Sequence, residues 1–358
     1  RLEARGDYQR FHDDGSKVDA ESGFKGKFLN IRLDGQVGEN FSYSYRQRLN
    51  KPHKDMSYFD ATDWLYLTYT KHRWSFSGGK QVIGIGGFEY DLAPIDVYFF
   101  SGFCSNVTSY AFGASVGYAL SPKDKLTMQI CESPFSTSTD DIYAYNLLWQ
   151  GKHGCWSTLY SLNMVEHLPG KFMNYIALGN RFDFNNVSIT LDLMNRTSEG
   201  HAFLGRDFSV MGEIDWMPCQ KVNLFGKCTY DVNKSKTLHD ACVPPGTELT
   251  RIGVGVEGHH HGADADQPGG QMAHIVGGVV DLGEQAGCGR HQHRKNQTGN
   301  HAGGDQLAIR IPNLCLRAAC AQHLADDDAN GVAHGKEHHA GQVIEGRRNV
   351  LGGNHIQP

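Results

Sequence analysis

The sequence lacks the features of several protein classes. It contains no apolar run of about 18 residues, so it predicts no transmembrane helix. Its 9 cysteines are an odd number without a CxxC pair, which argues against a disulfide framework. A total of 34 Lys and Arg against 39 Asp and Glu gives no indication of nucleic-acid binding. No basic segment followed by an apolar stretch opens the sequence, so we expect any export signal to be absent from this copy.

The last hundred residues lack two common residue classes. Residues 258–358 contain no Ser, and all 5 Trp, 15 Tyr and 18 Phe lie before residue 258. The same segment holds 12 of the 19 His residues. An ordinary domain boundary does not explain such a loss, so we treat 1–257 and 258–358 as separate regions.

Residues 1–257 are dominated by alternation of apolar and polar residues, broken by turns. For example, Leu29, Ile31 and Leu33 alternate with Arg32 and Asp34. This period predicts antiparallel strands with one apolar and one polar face. Most of the strands are near ten residues long, which is enough to cross a bilayer when tilted. About fourteen strands are predicted, over 1–10, 25–37, 41–49, 60–70, 74–83, 109–120, 125–134, 142–151, 155–164, 172–182, 186–195, 206–217, 221–230 and 248–257.

The connections between these strands alternate in length. Short turns such as 71–73 and 152–154 follow every second strand, and longer segments follow the others. This pattern is typical of an outer-membrane barrel, in which short turns lie at the periplasmic end and long loops at the other. The predicted long connections are 11–24, 50–59, 84–108, 135–141, 165–171, 196–205 and 231–247.

Several segments resemble a known family. DWLYLTYT (63–70), RWSFSGGKQ (73–81), GGFEYDLAPID (86–96), FSVMGEIDW (208–216) and ELTRIGVGVE (248–257) are similar to phosphate-selective porins of the O/P type, in the form found in outer membranes of Bacteroidetes. The resemblance covers residues 1–257. It implies a sixteen-strand trimeric porin that passes small anions through a narrowed channel, and it places the constriction on the loop 84–108.

The charges of the predicted channel are mixed. The family's phosphate-selective members line their channel with basic residues, whereas the constriction loop here carries Glu89, Asp91 and Asp96. We therefore expect a wide, weakly selective pore with a slight preference for cations, because rings of charge set selectivity. For Arg46 and Arg48, pairing within the wall and contact with the permeant both remain open. The residues predicted to line the pore are Arg32, Asp34, Arg46, Arg48, Asp192, Glu213, Asp215, Lys227 and Arg251.

The tail 258–358 is expected to be a Gly-, Ala- and His-rich segment without a clear fold. A frameshift or chimeric join near 256–258 would explain its composition, and about two strands would then be missing from a sixteen-strand wall. An unclosed edge exposes unpaired backbone to lipid, so poor membrane insertion is expected. We interpret the clustered His and Cys of the tail as incidental rather than as a metal site; these are His259, His260, His261, His291, His293, Cys315, Cys320, His323, His338 and His339.

The sequence therefore predicts an all-β outer-membrane porin that is not an enzyme. Its expected partners are outer-membrane lipid, small hydrophilic solutes or ions, and two further copies in a homotrimer, with no metal, cofactor or nucleic acid. Three alternatives stay open at this point: an outer-membrane barrel enzyme, an adhesin-like structural barrel, and a non-functional frameshifted fragment.

Overall fold

The chain forms a single antiparallel sheet that closes on itself. The structure is a computed structural model, and it describes residues 1–13, 15–51, 58–92, 97–136, 141–198, 203–235, 240, 242–260, 272–284 and 308–320. The first strand pairs with the last strand on one side and with the third on the other, so the sheet is a closed barrel. No helix among the described residues is long and apolar enough to cross a membrane.

Sixteen of the strands are long, and β2 is a two-residue extension at one end. All fourteen strands predicted before residue 258 are present. The strands are β1 (Leu2–Asp13), β2 (Ser16–Lys17), β3 (Gly23–Val37), β4 (Phe41–Arg48), β5 (Thr62–Lys71), β6 (Trp74–Val82), β7 (Tyr110–Ala119), β8 (Asp124–Glu132), β9 (Tyr143–His153), β10 (Trp156–Leu168), β11 (Lys171–Phe184), β12 (Val187–Ser198), β13 (Asp207–Cys219), β14 (Val222–Asn233), β15 (Glu248–His260), β16 (Met272–Glu284) and β17 (Ala308–Cys320).

Two further strands lie in the tail, in addition to the fourteen that the sequence predicts. β16 pairs with β15 over its full length, and β17 pairs with both β16 and β1. Pro312 falls where the β1–β17 register shifts, between the pairs Tyr8–Leu314 and Arg10–Ile311. A bulge is one of the few places that a strand tolerates proline, because proline has no N–H to donate. Through β16 and β17 the sheet runs from β15 to β1.

Alternation along each strand separates the two faces of the barrel. On β5, Leu65 and Leu67 are exposed on the outer face, whereas Trp64 is buried on the inner face. The outer face of β6 and β7 presents Trp74 and Phe112 in the same way. An apolar outer face and a polar interior are the arrangement that a barrel adopts in a lipid bilayer.

The connections follow the predicted parity with one exception. Tight turns such as 72–73, where His72 has φ of 56°, lie at one end of the barrel, and the long segments lie at the other. The predicted long connection 165–171 is instead a two-residue turn, because the β10–β11 ladder continues to the pair Leu168–Lys171. Gly170, with φ of 70°, supplies the left-handed residue that this turn needs.

Three short α-helices complete the described fold, together with a 3-10 helix at Asp19–Glu21. The α-helices are α1 (Tyr58–Ala61), α2 (Phe88–Asp91) and α3 (Gly102–Asn106). The last two belong to the segment 83–109 between β6 and β7, which we call the inner loop. Its apolar side chains, including Ile83, Tyr90 and Phe103, join residues of the wall such as Val165 and Tyr175 in a buried cluster. A hydrophobic core therefore lies inside the barrel, between the inner loop and one part of the wall.

Candidate functional site

The inner loop crosses the interior of the barrel, as its hydrogen bonds to distant strands show. The backbone N–H of Gly84 donates to Gln129 on β8 at 2.6 Å, and that of Gly86 donates to Ser161 on β10 at 2.8 Å. Further along the loop, the carbonyl of Val97 accepts from Arg5 on β1 at 2.6 Å. The loop therefore reaches strands on different sides of the barrel and narrows its lumen.

Two carboxylates of the wall hold the two helices of the inner loop. Asp192 on β12 accepts from the backbone N–H of Glu89 in α2 at 2.7 Å. Asp231 on β14 accepts from Gly102 and Phe103, the first two residues of α3, at 2.6 and 3.2 Å. The first N–H groups of a helix have no partner within the helix and carry partial positive charge, so a carboxylate stabilises them. These carboxylates therefore fix the loop to the wall.

A buried ion pair makes a third attachment. Glu89 is 3% exposed and lies 2.8 Å from the Nζ of Lys227 on β14. Its carboxylate also accepts from the N–H and the hydroxyl of Ser101 at 2.9 and 2.6 Å. Burial disfavours the charged form of Glu89, but the ammonium of Lys227 and the two bonds from Ser101 outweigh it, so the pKa of Glu89 lies below its usual value.

The segment 234–247 between β14 and β15 supports the inner loop from the side of the long connections. Asn106 of α3 donates to the carbonyl of Cys242 at 2.7 Å. Arg196 on β12 is 1% exposed and donates to Asp240 at 2.6 Å, and its guanidinium lies over the Phe103 ring at 5.8 Å. Two connections are therefore packed together within the mouth of the barrel.

The predicted basic residues of β4 lie in a paired cluster. Arg46 is fully buried, with Nε 3.2 Å from Glu3 and 3.5 Å from Asp63. Arg48 lies 2.8 Å from the same Asp63. The guanidinium of Arg46 also stacks over the ring of Trp64 at 4.9 Å. Of the two interpretations left open by the sequence, these contacts favour pairing within the wall.

Arg32 and Asp34 on β3 are more accessible. Their side chains form an ion pair at 2.6 Å and are 14% and 41% exposed. Asp34 also accepts from the hydroxyl of Ser44 at 2.6 Å. This pair therefore presents charges of both signs toward the open part of the lumen.

The remaining predicted pore residues lie near the inner loop. Asp192 and Lys227 bind the loop as described, and Glu213 lies 3.7 Å from Lys227. Arg251 donates to the carbonyl of Phe100 in the loop at 3.0 Å. Asp215 is 5% exposed and accepts from Asn223 at 2.9 Å. The structure therefore gathers Asp192, Glu213, Lys227 and Arg251 around one loop.

The other two acidic residues of the predicted constriction differ in setting. Asp91 lines a cavity of about 130 Å³ beneath α2, together with Arg181, Asp183 and Glu213. Burial raises the pKa of Asp91 to about 6. Asp96 lies outside the described residues. The negative charge that the loop presents to water is therefore smaller than the three acidic residues of its sequence suggest, since the charge of Glu89 is compensated by Lys227.

On β5–β7, the wall opposite the attached loop presents neutral polar groups. Thr68 on β5 and Ser77 on β6 share a hydrogen bond of 2.8 Å, and Ser115 on β7 donates to Gln81 at 2.9 Å. We call the inner face of β3–β7 the open wall, and the inner face of β10–β15 the loop-bearing wall.

The sequence did not reveal three residues that contact a loop, namely Asp231, Arg196 and Ser161. Alternation assigns them to the inner face without showing which of them contact a loop.

Comparison with known proteins finds a family that is similar to the first part of the chain. The family model described as phosphate-selective porin O and P matches residues 1–156. This stretch contains β1–β9 and the whole inner loop. Residues 1–156 are therefore similar to this family. Together with the barrel fold, the match indicates an outer-membrane channel for passive diffusion. No curated protein matches the chain.

Solved porin structures share the fold of this porin. DcaP of Acinetobacter baumannii superposes with a TM-score of 0.60 at 12% identity, covering 89% of this chain and 96% of that one. An anion-selective porin from Comamonas acidovorans superposes with a TM-score of 0.56 at 12% identity, covering 89% of this chain and 99% of that one. OmpT of Vibrio cholerae superposes with a TM-score of 0.52 at 10% identity, covering 89% of this chain and 97% of that one. At these identities the likeness establishes the barrel fold alone.

Proposed function

We propose that this porin is a weakly charge-selective channel whose permeation path runs between the inner loop and the open wall. The observation that carries the proposal is the attachment of the loop to the opposite wall by Asp192, Asp231 and Lys227. Because that side is filled by loop and apolar core, water and solutes pass along the other side.

Weak selectivity follows from the balance of the charges on this path. Arg32 and Asp34 are paired, and the constriction charge of Glu89 is compensated by Lys227. A paired charge gives a weaker field at the ion than an isolated one, so neither sign is strongly excluded. The family description names phosphate, and one structural neighbour is an anion-selective porin, which supports a path open to anions. The acidic loop predicted a preference for cations, and its pairing reduces that preference.

The test is conductance in planar lipid bilayers. We expect stepwise openings in potassium chloride and a chloride-to-potassium permeability ratio near one. Substitution of the residues that attach the loop, Asp192, Asp231 and Lys227, should increase the conductance of each step, because the constriction would widen. Silent bilayers with a correctly folded barrel would contradict the proposal. Hydrolytic activity or adhesion in their place would support the enzyme or the structural barrel.

Homotrimer formation is part of the same proposal. The family resemblance implies three copies, and each would contribute one channel. Chemical crosslinking in detergent, followed by electrophoresis, should give a band at three times the monomer mass, and conductance steps should occur in groups of three. A single band at the monomer mass would contradict the trimer without affecting the channel.

A further inference from the structure

The cavity of about 130 Å³ beneath α2, which we call the α2 recess, is a separate compartment of the lumen. Residues of α2 line it on one side, and residues of β10–β13 line it on the other. A single buried water needs roughly 15 Å³, so the recess has room for a small organic solute. A concave space with a few converging polar groups is the usual form of a small-molecule site.

The wall of the α2 recess is formed by one row of directly paired residues. Arg181 on β11 pairs with Thr190 on β12, and Thr190 pairs with Glu213 on β13. Ser157 on β10 extends the row beyond Arg181. Neighbouring strands lie about 4.8 Å apart, so the backbones of Arg181 and Glu213 are separated by roughly 10 Å. The row therefore carries a cation, a hydroxyl group and a carboxylate in succession.

The α2 recess is in contact with the water of the lumen. The side chains of Arg181 and Asp183 are 18% and 25% exposed, and that of Glu213 is 18% exposed. Asp192, which holds α2, pairs with Gly179 on the long-loop side of Arg181. The recess therefore lies on the short-turn side of the inner loop, where solutes in the lumen reach it.

The guanidinium of Arg181 is only partly used by the protein. Its Nε donates to Asp183 at 2.9 Å, and that carboxylate also accepts from the hydroxyl of Ser188 at 2.7 Å. The terminal nitrogens Nη1 and Nη2 make no hydrogen bond within the described part of the chain. Because a guanidinium has five N–H donors, most of the donors of Arg181 remain available to a solute.

Asp91 supplies the opposite charge on the loop side of the recess. Within the described residues, its carboxylate makes no ion pair or hydrogen bond, and burial raises its pKa to about 6. Asp91 and Arg181 line the same cavity but do not form an ion pair with each other. The recess therefore contains two opposite charges that are separated by a gap.

A solute that carries both charges would fill this gap. Its ammonium group would donate to Asp91, and its carboxylate would accept from the terminal nitrogens of Arg181. Such charge-assisted bonds are about twice as strong as neutral ones. A metal ion is less suited, since no group of three or more His, Cys, Asp or Glu among the described residues could hold one.

We propose that the α2 recess binds small zwitterionic solutes of the α-amino acid type, with Asp91 as the acceptor for the ammonium and Arg181 as the donor to the carboxylate. The inference rests on the proposed function, because a solute reaches the recess only through the water-filled lumen. It adds a class of solute to a channel that discriminates weakly between ions, since a zwitterion has no net charge.

The first experiment uses the unchanged porin in lipid nanodiscs. L-alanine is titrated, and its binding is followed by saturation-transfer difference NMR of its methyl group. Propionate is L-alanine without the ammonium group, and ethylamine is L-alanine without the carboxylate, so these two solutes are matched controls. We expect half-saturation by L-alanine at a concentration about tenfold or more below that of either control, because each control lacks one charge-assisted bond.

The second experiment removes the two contacts one at a time. Asp91→Asn and Arg181→Gln should each raise the half-saturating concentration of L-alanine about tenfold or more. Asp91→Asn should not weaken the binding of propionate, and Arg181→Gln should not weaken that of ethylamine. Glu39→Gln and Arg73→Gln are the control variants, since they remove exposed charges of the same signs from short turns and should leave L-alanine binding unchanged. Heat-modifiable migration on a semi-native gel shows that each variant is a folded barrel.

The outcomes separate this inference from the proposed function. Equal half-saturating concentrations of L-alanine, propionate and ethylamine would overturn the zwitterion site. Control variants that weakened L-alanine binding as much as Asp91→Asn and Arg181→Gln would also overturn it, because only net charge would then matter. If L-alanine did not bind to a porin that conducts in planar bilayers, the inference would fail and the diffusion channel would stand. L-alanine binding to a folded barrel without conductance would support the recess and contradict the proposed function.

Discussion

The loop-bearing wall and the open wall have the same alternating sequence pattern, but their inner charges have different roles. On the loop-bearing wall, Asp192, Asp231 and Lys227 are buried and bind the inner loop. On the open wall, Arg32 and Asp34 pair with each other and remain partly exposed. Both sets lie on the polar face of alternating strands, so the difference arises from what packs against them.

This difference separates two kinds of inner charge in the porin. A buried charge that binds a loop determines the shape of the channel, and its loss leaves a partner without compensation in a low-dielectric setting. A half-exposed charge acts on the passing ion through water and contributes little to stability. Substitutions of the buried charges that bind the loop should therefore change stability and conductance, whereas those of the partly exposed Arg32 and Asp34 should change selectivity alone.

The largest effect is expected from removing the strands on which both walls depend. A chain ended after His260 lacks β16 and β17, so β1 and β15 become open edges. Lipid provides no hydrogen bonds for unpaired backbone, and we expect no insertion and no conductance. Heat-modifiable migration and bilayer recordings, with the full chain as control, check this outcome. Channels of normal size from the shortened chain would show that the tail strands do not close the barrel.

The origin of the tail is tested separately, on the DNA. The composition of residues 258–358 predicts a shifted reading frame or a gene fusion. A downstream frame that encodes alternating aromatic strands would support the frameshift and would supply a different pair of closing strands. If no downstream frame encodes such strands, a gene fusion would remain as the explanation of the tail.

The strands of 1–257 could be predicted because their alternation is strong. Leu29 to Asp34 show it within a single strand, and fourteen such segments recur with turns between them. The tail strands could not be predicted in this way. β16 carries Gly277 and Gly278 at its centre, and β17 carries Pro312, which predict a break rather than a strand. Their pairing depends on the folded sheet, in which β15 has a free edge for β16 and β1 has a free edge for β17.

The candidate site was predictable in position but not in its contacts. Parity of loop length and the family resemblance predicted 84–108 as the constriction, and alternation predicted the inner charges. Sequence could not show that Glu89 meets Lys227, because 138 positions separate them and only the barrel brings them together. The acidic loop therefore suggested a stronger field than the folded channel has.

The second largest effect is expected from Lys227→Met. Glu89 would stay buried without its ammonium, and losing one partner of a buried pair costs about 3–5 kcal/mol. The urea midpoint of unfolding, followed by tryptophan fluorescence in lipid vesicles, should fall accordingly, and single-channel conductance should become larger and noisier. The double variant Lys227→Met with Glu89→Gln removes both charges and should recover most of the stability. If single and double variants were equally unstable, the pair would not be the cause.

A smaller loss is expected from Asp231→Ala. The N–H groups of Gly102 and Phe103 would lose their acceptor, and each unsatisfied buried group costs about 1–3 kcal/mol. Because α3 would no longer be fixed to β14, brief changes of conductance should become more frequent. The matched control is Asp34→Ala, which removes a carboxylate from the open wall. Equal destabilisation by both variants would remove the distinction between the two walls.

The effect of pH should be smaller again and should centre on Asp91. Its pKa of about 6 means that it loses its charge as pH falls from about 7 to 5. The constriction then becomes less negative, so the chloride-to-potassium permeability ratio should rise over this range. The folded state binds the proton more tightly than the unfolded state, so this carboxyl makes the barrel less stable as pH rises from its ordinary pKa of 3.8 to about 6. Asp91→Asn should remove the pH dependence of the ratio, and a pH response that survives it would assign the effect to another group.

The smallest effect on stability is expected from Arg32→Gln. Its ion pair with Asp34 is partly exposed, and such pairs contribute about 0–1 kcal/mol, so the urea midpoint should hardly move. Asp34 would lose its partner and become the uncompensated charge of the open wall. The permeability ratio should therefore shift toward potassium, in the direction opposite to acidification. A variant with Asp34→Asn in addition should return the ratio to its starting value, since both charges of this pair would then be absent. Arg32→Gln could instead destabilise the barrel as strongly as Lys227→Met. The Arg32–Asp34 pair would then also stabilise the fold, and the two walls would not differ in the role of their charges.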